Sequence, residues 1–386
     1  MARREFNLPG IQDLSKEQED ARVLPKQGRH LIIGGPGTGK SVLALLRSRR
    51  HQHDTEDYKF LVYNKLLHQA SRQLFGIELC SEQWQAWFLS IFKNATGKVM
   101  PRLPPDKKNW EEFDWDRALE IICACQGDEG VQRPYLIIDE GQDMPPEFYL
   151  ALFQLGFENL YVVADQNQKI EPGRHSKRDE IRCSLSIKLD DVIELKYNYR
   201  NTQPIARLAR EFYTGDPATP PPAIPDRPSA IRPMLFEYKP EDFPKIINRI
   251  LMMADNAPTK LIGVIAPNDL VRKRYFDALA NNKLHLDNGK PLVKTYSKAD
   301  QQELLFNEGG IMVINAKSCK GLEFDTVFLA DINEYKCWPE ILDEQKRLFY
   351  VMVARAKERV IMLKQPGMDY PIKPILPQNT EILERK

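Results

Sequence analysis

The sequence predicts an α/β protein with two lobes, each built around a parallel β-sheet. Three observations lead to this fold. Short apolar runs alternate with helical patterns, a glycine-rich loop follows the first of these runs, and a proline-rich segment at 214–233 divides the alternation into two halves. Continuous apolar runs that stand between helices are typical of strands buried on both faces of a parallel sheet.

The first half of the chain contains apolar runs that predict strands at 30–33, 59–63, 135–138, 160–164 and 192–195. Helical patterns accompany them at 41–50, 65–75, 145–155 and 203–213. Residues 77–134 interrupt this alternation and hold four of the five tryptophans: Trp84, Trp87, Trp110 and Trp115. We expect a small, mostly helical insertion with its own core. Aromatic rings among basic residues could also form a stacking groove for single strands, but tryptophans at helical spacing more often pack in a core.

The segment at 214–233 contains seven prolines. Proline restricts φ and lacks a backbone donor, so neither a helix nor a central strand continues there. We therefore divide the chain into a first lobe at 1–213, a linker at 214–233 and a second lobe at 234–386. In the second lobe the patterns predict helices at 241–253, 269–280 and 340–356, and strands at 261–266, 311–314, 326–330 and 359–363. We expect the tail after residue 364 to be irregular.

The charge balance excludes a global basic field, because 55 Lys and Arg residues stand against 54 Asp and Glu residues and leave a net charge of +1. A nucleic acid would therefore need a local patch or groove. The six cysteines are scattered without a C-x-x-C pair, and the sequence has neither a signal peptide nor an apolar run of membrane-spanning length. We expect reduced thiols in a cytoplasmic protein that does not bind a membrane.

The glycine-rich loop is the most specific pattern in the chain. Residues 34–41 fit G-x-x-x-x-G-K-[ST], directly after an apolar run and before a helical pattern. Such a loop wraps a triphosphate with its backbone N–H groups, its lysine reaches the β- and γ-phosphates, and its last hydroxyl binds Mg²⁺. The residues assigned in this way are Gly35, Pro36, Gly37, Thr38, Gly39, Lys40 and Ser41.

Two further predicted strands end in polar residues. Asp139 and Glu140 follow the run at 135–138. In phosphate-loop ATPases the first carboxylate at this position holds Mg²⁺, and the next can polarise the attacking water. Gln168 stands shortly after the run at 160–164, where a glutamine can contact the γ-phosphate and that water.

In this order, the motifs resemble those of superfamily 1 helicases of the UvrD/Rep type, from about residue 14 to residue 363. The segment at 14–21 resembles the family's adenine-reading element, and 34–41 its Walker A loop. Residues 139–143 match D-E-A-Q-D with glycine for alanine, and 165–168 match most of G-D-x-x-Q. In the second half, the segments resembling N-Y-R-S, K-G-L-E-F and Y-V-A-x-T-R-A lie at 195–202, 315–325 and 347–357.

The resemblance implies two RecA-like lobes that use ATP and Mg²⁺ and bind single-stranded nucleic acid. DNA is the nucleic acid that we expect. It implies that Gln18 contacts adenine, that Tyr199 stacks on it, and that Glu323 contacts the ribose. It also implies that Gln168, Arg200 and Arg355 contact the γ-phosphate, and that Arg355 is an arginine finger from the second lobe. Catalysis would then rest on these three residues together with Lys40 and Glu140.

The sequence also departs from the family. Glu171 and Gly173 stand where aromatic residues usually stack on bases, a contact that is worth about 1–3 kcal/mol per base. The stretch at 283–310 is too short for the family's large accessory subdomain. We therefore expect intact ATP chemistry and keep two functions open. One is a minimal DNA helicase or translocase. The alternative is an ATP-dependent nucleic-acid sensor or regulatory subunit that acts through a partner such as a nuclease, as in small UvrD-like subunits of anti-phage systems.

Overall fold

The computed structural model describes residues 11–63, 73, 79–104, 112–125, 132–165, 176–214, 221–296, 308–367 and 371–386. Their contacts divide the chain into two compact units. The N-terminal unit takes its described residues from Pro9–Gly34 and Gly39–Leu195. The C-terminal unit takes them from Lys196–Lys386 and Gly35–Thr38.

The N-terminal unit contains a parallel sheet. Its strands are β1 (Arg29–Gly34), β2 (Tyr58–Val62), β3 (Ser81–Gln83), β4 (Tyr135–Ile138), β5 (Leu160–Ala164) and β6 (Ile193–Leu195). They pair in the order β3-β2-β4-β5-β1-β6. In this register Ile32 of β1 lies between Val163 of β5 and Ile193 of β6. The carboxyl ends of β1, β4 and β5 therefore meet at one edge of the sheet, where ligands of open α/β sheets usually bind.

Helices cover both faces of this sheet: α1 (Lys16–Val23), α2 (Lys40–His53), α3 (Trp84–Thr96), α4 (Trp115–Ala124), α5 (Pro146–Gln154) and α6 (Arg178–Ser184). Apolar residues of α1 and α2 pack on one face, and those of α3 to α6 pack on the other. The strands carry almost no exposed apolar surface, because both of their faces are buried.

The tryptophans that the structure describes in the predicted insertion are core residues. The indole of Trp84 lies 5.1 Å from the ring of Phe148, and that of Trp87 lies 5.5 Å from the ring of Phe157. The expected separate core is therefore wrong, because these rings and Trp115 share one cluster with β4 and β5 of the main sheet. Trp110 lies outside the described residues.

The C-terminal unit also contains a parallel sheet. Its strands are β7 (Met234–Glu237), β8 (Leu261–Ala266), β9 (Val293–Thr295), β10 (Gly310–Asn315), β11 (Phe324–Leu329), β12 (Ala356–Lys364) and β13 (Glu384–Arg385). They pair in the order β13-β7-β12-β11-β8-β10-β9. Two parallel sheets with helices on their faces confirm the predicted α/β class.

The helices of this unit are α7 (Gln203–Glu211), α8 (Phe243–Asp255), α9 (Asp269–Ala280) and α10 (Leu342–Ala354). Helices α8 and α9 bury their apolar side chains against β8, β10 and β11. Helix α7 packs on α10, with the rings of Phe212 and Phe349 5.4 Å apart. Residues 203–213 were assigned to the first lobe because they precede the proline-rich segment. This contact explains why they group with the C-terminal unit instead.

Some element boundaries differ from the sequence-based expectations. The helix expected at 340–356 ends at Ala354, because Ala356 already pairs with Phe324 in the sheet. The tail is not wholly irregular, since it contains β13. This strand pairs with β7, which directly follows the proline-rich segment. The helix expected at 65–75 lies outside the described residues except for residue 73. In the described part of the chain, no helix combines the length and apolar character needed to cross a bilayer.

Candidate functional site

The glycine-rich loop connects β1 to α2, as the sequence predicts. Two of its glycines adopt left-handed φ angles, +77° at Gly37 and +90° at Gly39, which other residues rarely adopt. A Cβ at Gly39 would also lie 2.5 Å from Nε2 of Gln18. The Thr38 hydroxyl donates to the carbonyl of Gly35 over 2.9 Å and closes the turn. Helix α2 begins at Lys40, so its positive end faces the loop.

Gln18 lies beside the loop because α1 is fixed by a capping box. The Ser15 hydroxyl accepts the backbone N–H of Gln18 over 3.2 Å, and the Gln18 side-chain oxygen accepts the N–H of Ser15 over 3.0 Å. The side chain is buried. The structure therefore brings the residue expected to contact adenine against Gly39.

Lys40 is buried in a polar contact that the sequence did not reveal. Its Nζ donates to the carbonyl of Gly34 over 2.7 Å and lies 3.1 Å from a carboxylate oxygen of Asp165. Asp165 is completely buried at the end of β5, the strand that pairs with β1. The pairing of neighbouring strands could have indicated this contact, since parallel strands bring their carboxyl ends together.

Ser41 and Asp139 form the candidate metal site. The Ser41 hydroxyl hydrogen-bonds the buried Asp139 carboxylate, whose pKa is raised by burial and by the neighbouring charge of Glu140. A divalent cation would offset this crowding of negative charge. The donor set of a hydroxyl and a carboxylate fits Mg²⁺, which keeps the rest of its shell as water and phosphate oxygens.

Glu140 occupies an unusual backbone position. Its φ of +54° lies in the left-handed region, where a non-glycine residue is uncommon and strained positions cluster at functional sites. Its carboxylate accepts a hydrogen bond from Nε2 of Gln142 over 2.5 Å. The side-chain oxygen of Gln142 in turn accepts the backbone N–H of Asp165 over 2.7 Å. Gln142 therefore links the two strand ends, a role that the motif match did not assign.

The tip of the glycine-rich loop groups with the C-terminal unit. The backbone N–H of Tyr199 donates to the carbonyl of Gly37 over 2.8 Å. A Cβ at Gly37 would lie 2.4 Å from Oδ1 of Asn198, so glycine is required for this approach as well as for φ. The Tyr199 side chain is 49% exposed, which leaves its ring open for stacking.

Arg200 and Glu323 contact each other directly. The Arg200 Nε lies 2.9 Å from Oε1 of Glu323, and Nη2 bonds the same oxygen. Lys357 lies 3.1 Å from the other carboxylate oxygen. Burial alone would raise the pKa of Glu323, but the charges of Arg200 and Lys357 and their hydrogen bonds hold it well below its ordinary value of 4.5.

Arg355 caps the end of α10 and is 2% exposed. Its Nε donates to the carbonyl of Val351 over 3.2 Å, and Nη1 lies 3.5 Å from the carbonyl of Leu322. Its backbone carbonyl accepts the N–H of Phe324 over 3.0 Å. The guanidinium is therefore held against backbone of its own unit.

The structure thus collects the predicted residues into two groups. Within the N-terminal unit, Gln18, Gly39, Lys40, Ser41, Asp139 and Glu140 surround the carboxyl edge of the sheet. Within the C-terminal unit, Gly35, Pro36, Gly37 and Thr38 join Tyr199 and Arg200, and Arg200 contacts Glu323. Gln168 lies outside the described residues, as do Glu171 and Gly173.

One family model matches part of the C-terminal unit. Residues 281–365, which include Glu323 and Arg355, match the family model of the UvrD-like helicase C-terminal domain. No curated protein matches the chain. Among solved structures, the C-terminal domain of a possible DNA helicase from Lactobacillus plantarum WCFS1 matches with 16% sequence identity and a TM-score of 0.35, over 48% of this chain and 97% of that chain. The similarity to a known family therefore covers residues 281–365, which resemble the C-terminal domain of UvrD-like helicases.

Proposed function

We propose that the chain is a Mg²⁺-dependent ATPase driven by single-stranded nucleic acid, as a minimal UvrD-like helicase or translocase on DNA. One observation carries this proposal. Lys40, Ser41, Asp139 and Glu140 lie around one sheet edge, and a buried polar network that includes Gln142 and Asp165 fixes them. An ATPase needs this combination of a phosphate-binding cation, a metal ligand and a base.

Each residue then has a chemical role. Lys40 and the backbone N–H groups of the loop bind the phosphates, and Ser41 with Asp139 would hold Mg²⁺, which supplies positive charge to the phosphate oxygens. Glu140, whose carboxylate is held in place by Gln142, accepts the proton of the attacking water. Gln168, Arg200 and Arg355 stabilise the charge that develops on the transferred phosphoryl group, and planar guanidinium groups suit this task.

Nucleotide binding would replace internal contacts of the candidate site with contacts to ATP. In this proposal Lys40 leaves Asp165 for the phosphates, and Arg200 leaves Glu323 for the γ-phosphate. The buried Arg355 guanidinium must likewise leave the carbonyls of Val351 and Leu322. Glu323 then becomes available to the ribose, while Tyr199 and Gln18 bind the adenine. ATP would thereby replace two internal ion pairs with contacts to its own charges. The protein would then switch between two states as ATP binds and is hydrolysed.

The nucleic-acid contact is proposed at the carboxyl ends of β8, β9 and β10. Arg272 lies there, bonded to the Thr295 hydroxyl over 2.6 Å, and Asn315 donates to Asp269 over 2.9 Å. Guanidinium and amide groups at a sheet edge suit phosphate oxygens. Trp338 is 48% exposed, unlike Trp84, Trp87 and Trp115, and offers a ring for base stacking.

The second candidate is a sensor or regulatory subunit that hydrolyses ATP and acts through a protein partner such as a nuclease. The replacement of the stacking aromatics by Glu171 and Gly173 favours it. A strand-displacement assay on a tailed duplex separates the two functions. Unwinding by the purified chain supports the helicase, whereas DNA-stimulated hydrolysis without unwinding supports the sensor.

Phosphate release tests the proposal itself. We expect hydrolysis of ATP with Mg²⁺ that rises at least tenfold on addition of single-stranded DNA. Parallel titrations with RNA and DNA oligonucleotides of equal length identify the preferred strand. A chain that binds ATP but releases no phosphate with either oligonucleotide would be a nucleotide-binding scaffold and not a motor.

A further inference from the structure

Asn201 joins two segments that the sequence motifs treat separately. It is completely buried between Arg200 and the first turn of α7. Its Nδ2 donates to the carbonyl of Ala354 over 3.3 Å and also to the carbonyl of Ala356. These two carbonyls stand on either side of Arg355. A single side-chain amide thus holds the backbone around the proposed arginine finger.

Neighbouring residues hold this amide in place. The Asn201 oxygen accepts a hydrogen bond from Nδ2 of Asn198 over 2.7 Å. The oxygen of Asn198 accepts the backbone N–H groups of Arg200 and Asn201 over 3.0 and 3.2 Å. Both side chains are buried, and a buried amide with satisfied partners fixes one arrangement of the backbone.

Two more bonds connect the same segments. Nη1 of Arg200 donates to the carbonyl of Ala354 over 3.3 Å. The backbone N–H of Thr202 donates to the carbonyl of Lys357 over 3.2 Å. The connection matters at this point because α10 ends at Ala354 and β12 begins at Ala356, so the carbonyls at the end of the helix need donors from elsewhere.

The residue type at position 201 decides whether this bridge can form. The N-Y-R-S pattern of the resemblance has serine here, and a hydroxyl offers one donor on a short side chain. The carboxamide of asparagine offers two N–H donors and one acceptor. Bridging two carbonyls while accepting from Asn198 uses all three functions.

We infer that Asn201 is a positioning residue that holds the backbone of Arg200 and the turn of Arg355 in one fixed arrangement, so that both guanidinium groups act together on the γ-phosphate. The inference rests on the proposed function for the reaction, but the connection itself exists in the protein without nucleotide. Asn201 does not touch the substrate. Since the two guanidinium groups are proposed to act most strongly on the charge that develops in the transition state, we expect Asn201 to affect kcat much more than ATP binding.

The substitution Asn201→Asp tests the bridge, because it keeps the shape and the acceptor and removes both donors. We expect kcat for ATP to fall at least tenfold while KM changes less than twofold. Asn201→Ser, which restores one donor, should recover part of kcat. The matched control is Asn282→Asp, since the Asn282 amide donates to Asn248 over 3.0 Å elsewhere in the same unit. The control should keep the kcat of the unmodified chain.

Amide hydrogen exchange without nucleotide provides a second measurement that does not depend on turnover. The N–H of Phe324 donates to the carbonyl of Arg355. We expect Asn201→Asp to speed exchange at Phe324 and Thr202 at least tenfold and to leave the amides of β8 unchanged. Unchanged exchange overturns the inference whether or not the chain hydrolyses ATP. Faster exchange with an unchanged kcat also overturns it, and leaves the ATPase proposal standing.

Discussion

Arg200 and Glu323 form a hydrogen-bonded ion pair, with Nε of the arginine 2.9 Å from a carboxylate oxygen of the glutamate. The two residues lie 123 positions apart in the sequence, and both are proposed to contact ATP, one at the γ-phosphate and one at the ribose. Each residue thus gives the other an internal counter-charge. Lys357 adds a second cation to the same carboxylate.

The first prediction concerns the stability that this pair provides. Glu323→Gln should lower the free energy of unfolding at pH 7 by about 1–2 kcal/mol, because Arg200 and Lys357 lose their shared counter-charge in a partly exposed site. The pKa of Glu323 in the folded protein lies below its ordinary value of 4.5. The stabilisation is therefore full above that pH and is lost as the pH falls toward the folded-state pKa.

Urea unfolding of both proteins at pH 7 and pH 3.5 measures this effect. The difference in unfolding free energy between the original protein and Glu323→Gln should be smaller at pH 3.5. A difference of equal size at both pH values would show that the charge of Glu323 does not stabilise the fold.

The second prediction concerns Asp165 as counter-ion of Lys40. Asp165→Asn leaves a buried ammonium group without its carboxylate, and breaking a buried pair in this way typically costs about 3–5 kcal/mol. Phosphates can replace the lost negative charge. A non-hydrolysable ATP analogue with Mg²⁺ should therefore raise the melting temperature of Asp165→Asn more than that of the unmodified chain. Equal increases in thermal unfolding experiments would contradict the proposed exchange of Lys40 from Asp165 to the phosphates.

The third prediction concerns Gln142. Gln142→Leu keeps the approximate volume but removes the amide that holds the Glu140 carboxylate. We expect kcat to fall about ten- to a hundredfold with little change in KM, because in the proposed mechanism Glu140 acts on the attacking water and not on ATP binding. Gln154→Leu, at an exposed position of α5, is the control and should leave kcat unchanged. A rise in KM without a loss of kcat would assign Gln142 to nucleotide binding.

The sequence predicted where the local elements of the candidate site lie relative to the strands. The glycine-rich loop and the Asp139–Glu140 pair each follow a buried strand within a few residues, so their position needs no long-range information. Asp165 and Gln142 were not assigned roles from the sequence. The contact of Lys40 with Asp165 joins residues 125 positions apart, and it depends on the pairing of β5 with β1.

The same reasoning applies to the fold. Apolar runs predicted most of the buried strands. The β7 strand has a run of only three apolar residues directly after proline-rich sequence, and β13 (Glu384–Arg385) contains no apolar residue, so neither was predicted. Helical spacing predicted that Trp84, Trp87 and Trp115 are buried. It could not indicate that their partners include Phe148 and Phe157, because spacing along one helix does not specify which other element packs on it.

The fourth prediction concerns the exposed ring of Trp338. Base stacking on an aromatic side chain is worth about 1–3 kcal/mol, so Trp338→Ala should raise the single-stranded DNA concentration for half-maximal ATPase stimulation about tenfold. Trp338→Phe retains an aromatic face and should recover much of the affinity. The readout is an ATPase titration with oligonucleotide at saturating ATP. Identical titration curves for the Ala and Phe variants would exclude stacking at this position.

The proposed mechanism depends above all on Glu140, which is proposed to activate water for ATP hydrolysis in a site built by Lys40, Ser41 and Asp139. The decisive measurement is single-turnover phosphate release with Mg²⁺ and saturating single-stranded DNA. We expect release by the unmodified chain and a loss of at least a hundredfold in Glu140→Gln, with ATP still bound by the variant. Equal release by both proteins would exclude Glu140 as the residue that activates water.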